Sequence, residues 1–397
     1  MRTVSCVLSL AAVCACGTPE GLTQPRASFS HVVAPPQYRV ATLPTLGGAS
    51  QGGGINNPGW VAGYSGLPDG TRHAALWRNG AITDLGTLGG TQSGLHSNVQ
   101  WPGLSNDAMV VGISHTAALD PLGEAWSCSA FMAANGHICL GFVWQGGVMT
   151  ALPTLGGSNG FAAGVNDAGQ VVGWAETPLH DPTCNAPQVL QFRAVLWEPK
   201  SARTTELPPL SGDSTSAATA INAGGQVVGI SGECDVAVGR RSATHAVLWD
   251  RGSVTDLGSL GGAFWHTPMA INNRSEVVGF SNPPGGDIDA DNLRAFVWTR
   301  AGGMKDLGIL SGDGLSEALD VNDRSQIVGV SCGDVCHAVL WQDGVMYRLQ
   351  DLVGPGFAGL LWSARSVNDA GQITGRLIEP GTGKALTYVA TPITPTP

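Results

Sequence analysis

Short apolar steps separated by polar turns recur seven times between about residue 40 and residue 390. Each unit contains a turn that opens with Asn, then a short apolar step, and then a Gly that closes the phrase. The opening residues are Asn56, Asn106, Asn166, Asn222, Asn272, Asn322 and Asn368, and the closing residues are Gly63, Gly112, Gly173, Gly229, Gly279, Gly329 and Gly375. Subtracting successive Asn positions gives 50, 60, 56, 50, 50 and 46. A period near fifty is typical of propeller blades and not of helical solenoids.

Each unit predicts four short strands, which the sixth unit shows most clearly. Its innermost strand covers 317–321, and Asn and Asp at 322–325 favour the turn to a second strand at 326–329. The third strand covers 337–341 and ends in Trp, as it does in six of the seven units, whereas Tyr388 takes this place in the last. The fourth strand is expected around motifs such as Asp84-Leu85-Gly86. The pattern therefore predicts an all-β, seven-bladed β-propeller built from four-stranded blades of about 50 residues.

The two ends of the repeated region predict how the ring closes. A Leu-x-x-Leu-Gly-Gly phrase at 43–48 precedes the first complete unit, and the last unit ends after 385–389 without a fourth strand. We expect residues 38–44 to supply that strand, so that the N-terminal strand pairs with the last blade. A closed ring leaves no bare sheet edge for another chain, which favours a monomer.

The N-terminal residues predict export. Arg2 precedes an apolar stretch at 4–13 that is too short to span a bilayer, and Cys16 follows the small Ala15 as in a bacterial lipobox. Plain cleavage after Ala15 is the alternative to lipidation of Cys16. The predicted organisation is a signal peptide at 1–16, a Pro-containing linker at 17–37, the propeller at 38–391 and a disordered tail at 392–397. The expected location is extracellular, or on the outer membrane of a bacterium through a lipid anchor alone.

Composition agrees with a tight-turned β protein and excludes one class of partner. The chain has 57 Gly among 397 residues, and 13% of its residues are charged, against about 25% in an average protein. Its net charge is −10 and it has no run of Lys or Arg. A nucleic-acid binder needs a basic stripe or patch, so nucleic acid is not an expected partner.

Six cysteines remain once the signal region is set aside. An even number in an exported protein indicates disulfides before a metal cluster. The preferred pairing joins Cys128 with Cys139 and Cys332 with Cys336 within blades, and Cys184 with Cys234 between neighbouring blades. Six cysteines allow fifteen pairings, so this remains one choice among them.

The third strands resemble a known family. The phrases at 73–77, 245–249 and 294–298, His-Ala-Ala-Leu-Trp, His-Ala-Val-Leu-Trp and Arg-Ala-Phe-Val-Trp, together with the Asp-Leu-Gly-x-Leu-Gly-Gly phrases, are similar to the bacterial extracellular HAF repeat, named after its His-Ala-Phe signature. The resemblance covers about residues 40 to 390. It implies an exported repeat protein, and that family carries no established activity to transfer.

The recurring His of this signature is predicted to be structural. Where the third strand begins with His73, Arg193, His245, Arg294 or His337, an acidic residue follows in the fourth strand, and in the second unit Gly141 and Ala151 replace both partners. A cross-hairpin pair explains this joint loss, and such a pair contributes about 0.2–1 kcal/mol. The Asn residues are likewise expected to be turn formers.

Ligand recognition is expected where the blades differ. In a propeller, the loops from second to third strand and the links between blades emerge on one face, here called the loop face. Aromatic or histidine side chains that do not recur in every blade gather there, namely Trp101, Phe161, Phe264, Trp265, His266, Phe357 and Trp362. Flat aromatic rings beside polar turns suit sugars or apolar peptide side chains. The alternative is that they fill gaps between blades.

One phrase has the spacing of a weak cation site. Asp287, Asp289 and Asp291 alternate along the chain as oxygen ligands of Ca²⁺ do. The phrase lacks the Gly and the Glu of an EF-hand, and a solvated acidic loop is the alternative. No other cofactor is expected.

The sequence contains no nucleophile elbow, phosphate loop or paired-carboxylate motif, so no catalytic residue is assigned. The leading prediction is an exported binding or scaffold module that presents its loop face to a polysaccharide, peptide or protein partner. The alternative is a hydrolase or lyase of extracellular polymers with its site on the same face.

Overall fold

A computed structural model describes residues 35–95, 101, 103–124, 132, 135–235, 239–285 and 292–393. The predicted signal peptide, Cys16 and most of the linker lie outside these residues. The described chain forms seven four-stranded antiparallel sheets, and the strand order within each sheet is that of a propeller blade. The predicted seven-bladed β-propeller is confirmed.

The blades follow one another along the chain, each with its innermost strand first. Blades 1 to 3 consist of β2 (Ser50–Ile55), β3 (Val61–Gly66), β4 (Arg72–Arg78) and β5 (Ala81–Asp84); β6 (Gly89–Gly94), β7 (Val110–Leu119), β8 (His137–Gln145) and β9 (Val148–Ala151); and β10 (Gly160–Val165), β11 (Val171–His180), β12 (Leu190–Glu198) and β13 (Arg203–Leu207). Blades 4 and 5 consist of β14 (Thr215–Ile221), β15 (Val227–Gly232), β16 (His245–Asp250) and β17 (Ser253–Asp256); and β18 (His266–Ile271), β19 (Val277–Ser281), β20 (Arg294–Thr299) and β21 (Gly303–Asp306). Blade 6 has β22 (Leu315–Val321), β23 (Ile327–Cys332), β24 (Cys336–Gln342) and β25 (Val345–Arg348), and blade 7 has β26 (Leu360–Val367), β27 (Ile373–Ile378), β28 (Ala385–Pro392) and β1 (Tyr38–Thr42). Two short 3₁₀ turns, Pro199–Ser201 and Leu349–Leu352, complete the regular structure of the described residues.

The N-terminal strand closes the ring as predicted. β1 pairs antiparallel with β28, from Tyr38 opposite Pro392 to Thr42 opposite Tyr388. Tyr38 and Tyr388 are both fully buried in the apolar core of blade 7. The hydroxyl of Tyr388 donates to the carbonyl of Ser363 at 3.0 Å, which satisfies the one polar group that this substitution for Trp brings into the core.

The Gly that closes each repeat is required by backbone contact. In blade 6 a Cβ on Gly329 would lie 1.9 Å from the carbonyl oxygen of Glu317 on the innermost strand. The register shows why, because Ala318 lies opposite Gly329 and Asp320 lies opposite Val328, which leaves Leu319 as an extra residue. This β-bulge presses the inner strand against its neighbour. The same shift is present in blades 1, 3, 4, 5 and 7.

The Trp that ends the third strand joins neighbouring blades. Its indole N–H donates to a carbonyl just after the fourth strand of the preceding blade, from Trp77 to Pro44 at 2.7 Å and from Trp197 to Pro153 at 2.9 Å. Trp249 and Trp341 make the equivalent bonds to Pro208 and Leu307. A large buried ring with one satisfied donor therefore recurs at each of these seams.

The Asn turns form a hydrogen-bonded ring around the channel on the turn face, opposite the loop face. In blade 6 the Asn322 side-chain oxygen accepts the N–H of Gln326 at 3.0 Å, and its amide donates to the carbonyl of Asn368 in blade 7 at 2.8 Å. Equivalent cross-blade bonds start from Asn56, Asn166, Asn222, Asn272 and Asn368. The expectation that these residues shape turns is met, and they also join the blades.

Asn106 is the exception, and its assignment as the opening residue of blade 2 is wrong by one position. Ser105 takes that place, since its hydroxyl accepts the N–H of Met109 at 3.0 Å. Asn106 stands one position later, equivalent to Asn57, whose N–H donates to the Asn106 side chain at 2.8 Å. Blade 2 therefore has Ser where the other blades have Asn.

The predicted pairs between third and fourth strands are present in some blades only. His73 contacts Asp84 at 2.8 Å, and Arg193 lies 3.8 Å from Glu206. His245 departs from the prediction, because its partner is Asp213 from the preceding link, at 3.0 Å.

The acidic residue of the repeat has a local role that explains why it recurs. The fourth strand ends at this residue, which is Asp84 in blade 1, and its carboxylate accepts the N–H of Gly86 at 2.8 Å. Asp256 and Asp306 bind Gly258 and Gly308 in the same way. Each of these glycines has a positive φ, so the Asp stabilises a turn that favours Gly.

Candidate functional site

The loop face carries the loops from second to third strands, and two disulfides join described residues of these loops. Cys184 and Cys234 join blades 3 and 4, and Cys332 and Cys336 close a short loop in blade 6. Both predicted pairs are confirmed. Cys128 lies outside the described residues, so its pairing with Cys139 stays a prediction.

Trp101 and Phe161 are packing residues. Each is 2% exposed. The ring of Phe161 stacks on Trp174 at 4.5 Å, and Trp101 meets both rings edge-on at 5.5 and 5.7 Å. All three belong to an apolar cluster that extends through blades 2 to 6. The sequence leaves open whether these aromatic residues contact a ligand or fill gaps between blades, and Trp101 and Phe161 fill gaps between blades.

Trp265 is half-buried and lies at the seam between blades 4 and 5. Its φ is +66°, a left-handed conformation that bulky residues seldom adopt. One ring face is covered by the guanidinium of Arg240 at 4.5 Å, and Phe280 packs edge-on at 5.9 Å. Phe264 beside it is also half-buried. Backbone strain of this kind persists only where the surroundings enforce it, and it occurs often at binding sites.

His266 is buried, with 2% exposure, and occupies a structural position. Its Nδ1 lies 2.8 Å from the hydroxyl of Ser281, and that hydroxyl also accepts the N–H of Leu260 at 3.0 Å. In blades 4 and 6 the same place on the inner strand is held by Ser216 and Ser316. Burial lowers the pKa of His266 to about 4. The imidazole lines a cavity of about 220 Å³ with His245 and Asp256.

Trp362 is half-buried on the loop face of blade 7. The guanidinium of Arg376 lies over its ring at 4.9 Å. The Nε of Arg376 is buried and has no hydrogen-bond partner. Phe357 is also half-buried and packs against the core of blade 7. Sequence reasoning selected Trp362 but missed Arg376, which an alignment of the seven repeats on their closing Gly would have marked as a departure.

A group of buried carboxylates lies between blades 2 and 3. Oε1 of Glu124 accepts the N–H of Val189 at 2.6 Å, and Glu176 accepts the N–H of Asn159 at 2.8 Å and the side-chain amide of Gln188 at 3.0 Å. Burial, and next the charge of Glu124, raise the pKa of Glu176 to about 7. These residues cannot be recognised as a group from the sequence, because they come from separate loops.

Metal binding finds little support among the described residues. Asp181, Cys184 and Cys234 offer ligand atoms close together, but both sulfurs are consumed by the disulfide. The predicted calcium ligands Asp287, Asp289 and Asp291 lie outside the described residues, and their role stays a prediction.

The turn face has a polar cavity of about 190 Å³ at the mouth of the channel, lined by the Asn ring. Its carboxylates are already bonded, since Asp323 accepts both the N–H and the side-chain amide of Asn273 and Asp369 accepts the N–H of Asp323. This ring therefore stabilises the fold. Within the described part of the chain, no helix is long and apolar enough to cross a bilayer.

Neither a family model nor a curated relative matches the chain, and the HAF resemblance stays a prediction. Similar solved structures include an oligogalacturonate lyase in complex with manganese, with a TM-score of 0.48 and 11% identity over 90% of this chain and 97% of that one. Another is the uncomplexed acylaminoacyl peptidase of Pyrococcus horikoshii, with a TM-score of 0.47 and 10% identity over 87% of this chain and 52% of that one. The chain thus spans about half the length of that peptidase. At these identities the likeness concerns the fold alone, and the propeller assignment rests on the seven sheets described above.

Proposed function

We propose that this protein is an exported, non-catalytic binding module that holds a polysaccharide on its loop face. The observation that carries the proposal is the placement of Trp265 and Trp362, two half-buried indoles on that face, each with a guanidinium over its ring. Indole rings offer sugars a flat apolar platform, and neighbouring polar groups fix the orientation. The left-handed backbone of Trp265 supports a functional reason for its position.

The disulfides support the exported location, because such bonds persist in oxidising compartments. They also fix loops on the face where the ligand is proposed to bind. Pre-ordered loops lose less entropy when a ligand binds. A rigid ring with fixed loops therefore suits binding without closure of a lid.

The proposal is tested by retention of the purified protein on a panel of immobilised polysaccharides. Trp362→Ala and Trp265→Ala should weaken retention at least tenfold, which corresponds to about 1.4 kcal/mol per side chain. Trp60→Ala is the matched control, because Trp60 is also half-buried under an arginine, Arg78, at 4.9 Å, but lies on the turn face. Wild-type protein that binds no glycan of the panel, or loop-face variants that bind as well as Trp60→Ala, would refute the proposal. Turnover of a bound polymer would favour the hydrolase or lyase alternative.

A further inference from the structure

The repeat breaks its own apolar pattern where blade 7 meets blade 1. The residue after the closing Gly is apolar and part of one buried cluster in the five blades from 2 to 6. These residues are Ile113, Trp174, Ile230, Phe280 and Val330. Blade 7 has Arg376 at this position and blade 1 has Tyr64. In a repeat protein, an equivalent position that changes from apolar to charged is a departure that packing alone does not require.

The bulged residue of the inner strand also becomes charged in blade 7, whereas it varies elsewhere, with Ala163 in blade 3 and Thr219 in blade 4. Blades 5 and 6 place Met269 and Leu319 there, whereas blade 7 places Arg365. Arg365 is 3% exposed, and its Nε donates to the hydroxyl of Ser363 at 3.2 Å. Burial lowers the pKa of its guanidinium, and the charge of Glu317 acts in the opposite direction. Glu317 is therefore a protein charge that offsets part of the cost of burying this guanidinium.

Further cations surround this pair. Arg72 of blade 1 lies over the ring of Tyr64 at 5.1 Å, and the ammonium of Lys384 in blade 7 donates to the carbonyl of Gly47 at 3.2 Å. The neighbouring loops also carry Asp69 and Glu379, which accept hydrogen bonds from the hydroxyls of Thr71 and Thr382. Four cationic side chains at one seam are notable in a chain of net charge −10. Such a local field attracts anions.

Arg376 supplies the donor that a ligand could use. Its ring stack with Trp362 fixes the plane of the guanidinium, and its Nε is buried without a hydrogen-bond partner. A buried donor left unpaired is destabilising, and an acceptor from a ligand would remove that cost. Carboxylates suit a guanidinium best because two parallel N–H···O bonds form at once.

We propose that the seam between blades 7 and 1 binds the carboxylate groups of an acidic polysaccharide, with Arg376 as the carboxylate ligand and Trp362 as the platform for the sugar ring. The inference rests on the proposed function and names its ligand class. Arg72 and Lys384 contribute to the positive field around the site, whereas the charge of Arg365 is partly offset by Glu317.

The experiment measures affinity for three uronate polymers, alginate, hyaluronate and polygalacturonate, and for the same polymers with their carboxyl groups esterified. Wild-type protein should bind at least one uronate polymer ten times or more tightly than its ester at about 50 mM salt, and the preference should fall as salt rises. Arg376→Gln should abolish the preference, and Arg376→Lys should restore only part of it. Arg78→Gln is the matched control, since Arg78 stacks on Trp60 at the same 4.9 Å on the turn face, and it should retain the full preference. Equal thermal midpoints for Arg376→Gln and Arg78→Gln verify folding.

Each of the following results would overturn the inference about the carboxylate site. They are chosen so that the proposal of polysaccharide binding can be judged separately. Equal affinity for acid and ester would remove the role of charge but leave polysaccharide binding in place. Binding of neutral glycans without binding of any of the three acidic polymers would also refute the role of charge and leave polysaccharide binding in place. Poly-glutamate bound as tightly as the uronate polymer would replace the sugar with an acidic peptide. An unchanged preference in Arg376→Gln would remove Arg376 from the site.

Discussion

The Asn ring on the turn face makes a quantitative prediction about stability. Asn322→Ala removes a side chain that accepts the N–H groups of Arg324 and Gln326, both at 3.0 Å, and donates to the carbonyl of Asn368 and to the Gln326 side chain, both at 2.8 Å. The residue is buried, so water cannot replace these partners freely. Asn322→Ser should retain the bond to the turn, because Ser105 makes that bond in blade 2, and should lose the bond to blade 7.

The expected magnitudes follow from the count of bonds. Each net hydrogen bond contributes about 1 kcal/mol, and one of the four lies at the half-buried Gln326 and contributes less, so Asn322→Ala should cost about 3 kcal/mol. Asn322→Ser should cost roughly half as much. A domain of this size unfolds with an entropy near 0.75 kcal/mol/K, which converts 3 kcal/mol into a shift of about 4 °C in the thermal midpoint.

Calorimetry and urea unfolding measure these differences in the free energy of unfolding. A variant that is expected to gain stability tests the same reasoning in the opposite direction. Ser105→Asn should build the missing bond towards blade 3 and raise the midpoint by about 1 °C. Equal midpoints for Asn322→Ala and Asn322→Ser would show that the turn bond contributes nothing. A midpoint for Asn322→Ala equal to that of the wild type would refute the reasoning about the ring as a whole.

Two further predictions concern the closing strand and the buried carboxylates. Tyr38→Ala should destabilise the protein by about 3–5 kcal/mol, as truncation of a buried aromatic side chain does. Arg39→Ala, at the exposed neighbouring residue, should have little effect on thermal unfolding. Equal effects of the two substitutions would contradict ring closure by β1. The pKa of Glu176, raised from 4.5 to about 7, means that the folded state holds its proton more tightly, so stability is lost as pH rises from about 4.5 to about 7, by up to about 3 kcal/mol. Glu124→Gln keeps an oxygen for the N–H of Val189 but removes the charge that helps raise this pKa, so it should reduce the loss. His266 acts in the opposite direction, because its pKa, lowered to about 4, makes the folded protein less stable as pH falls below 6.5. The measurement is therefore the difference in the free energy of unfolding between Glu124→Gln and the wild type at each pH. Parallel curves for the two proteins would contradict the coupling between Glu124 and Glu176.

Features governed by local chemistry could be predicted from the sequence. The period, the turn residues and the missing fourth strand were enough to place β1 against β28, since each follows from neighbours along the chain. Two disulfides were predicted because they connect loops of known position. The obligatory Gly was recognised as a repeat, but its cause, the carbonyl of a bulged partner strand, is visible only in the sheet register.

Features governed by contact between blades could not be predicted. His245 selects Asp213 over the acidic residue of its own blade because the link from blade 3 lies nearer. Trp101, Phe161, Trp265 and Trp362 are all aromatic residues that do not recur in every blade, so the sequence does not distinguish them. Trp101 and Phe161 are nevertheless buried by packing across blades 2 and 3. Exposure of an aromatic ring on a propeller is therefore decided by which neighbouring blade covers it.

The location of the charged seam has a consequence for the stability of the ring. Blades 7 and 1 are held together by contacts between the two ends of the propeller chain, with β1 as the last strand of blade 7. A ligand that contacts both Arg376 in blade 7 and the Tyr64 side of blade 1 would bind the closed ring and not the open one. Such a ligand at a hundred times its dissociation constant stabilises the closed state by about 2.7 kcal/mol. That value approaches the cost expected for truncating Tyr38, so recognition at this seam and closure of the propeller are thermodynamically linked.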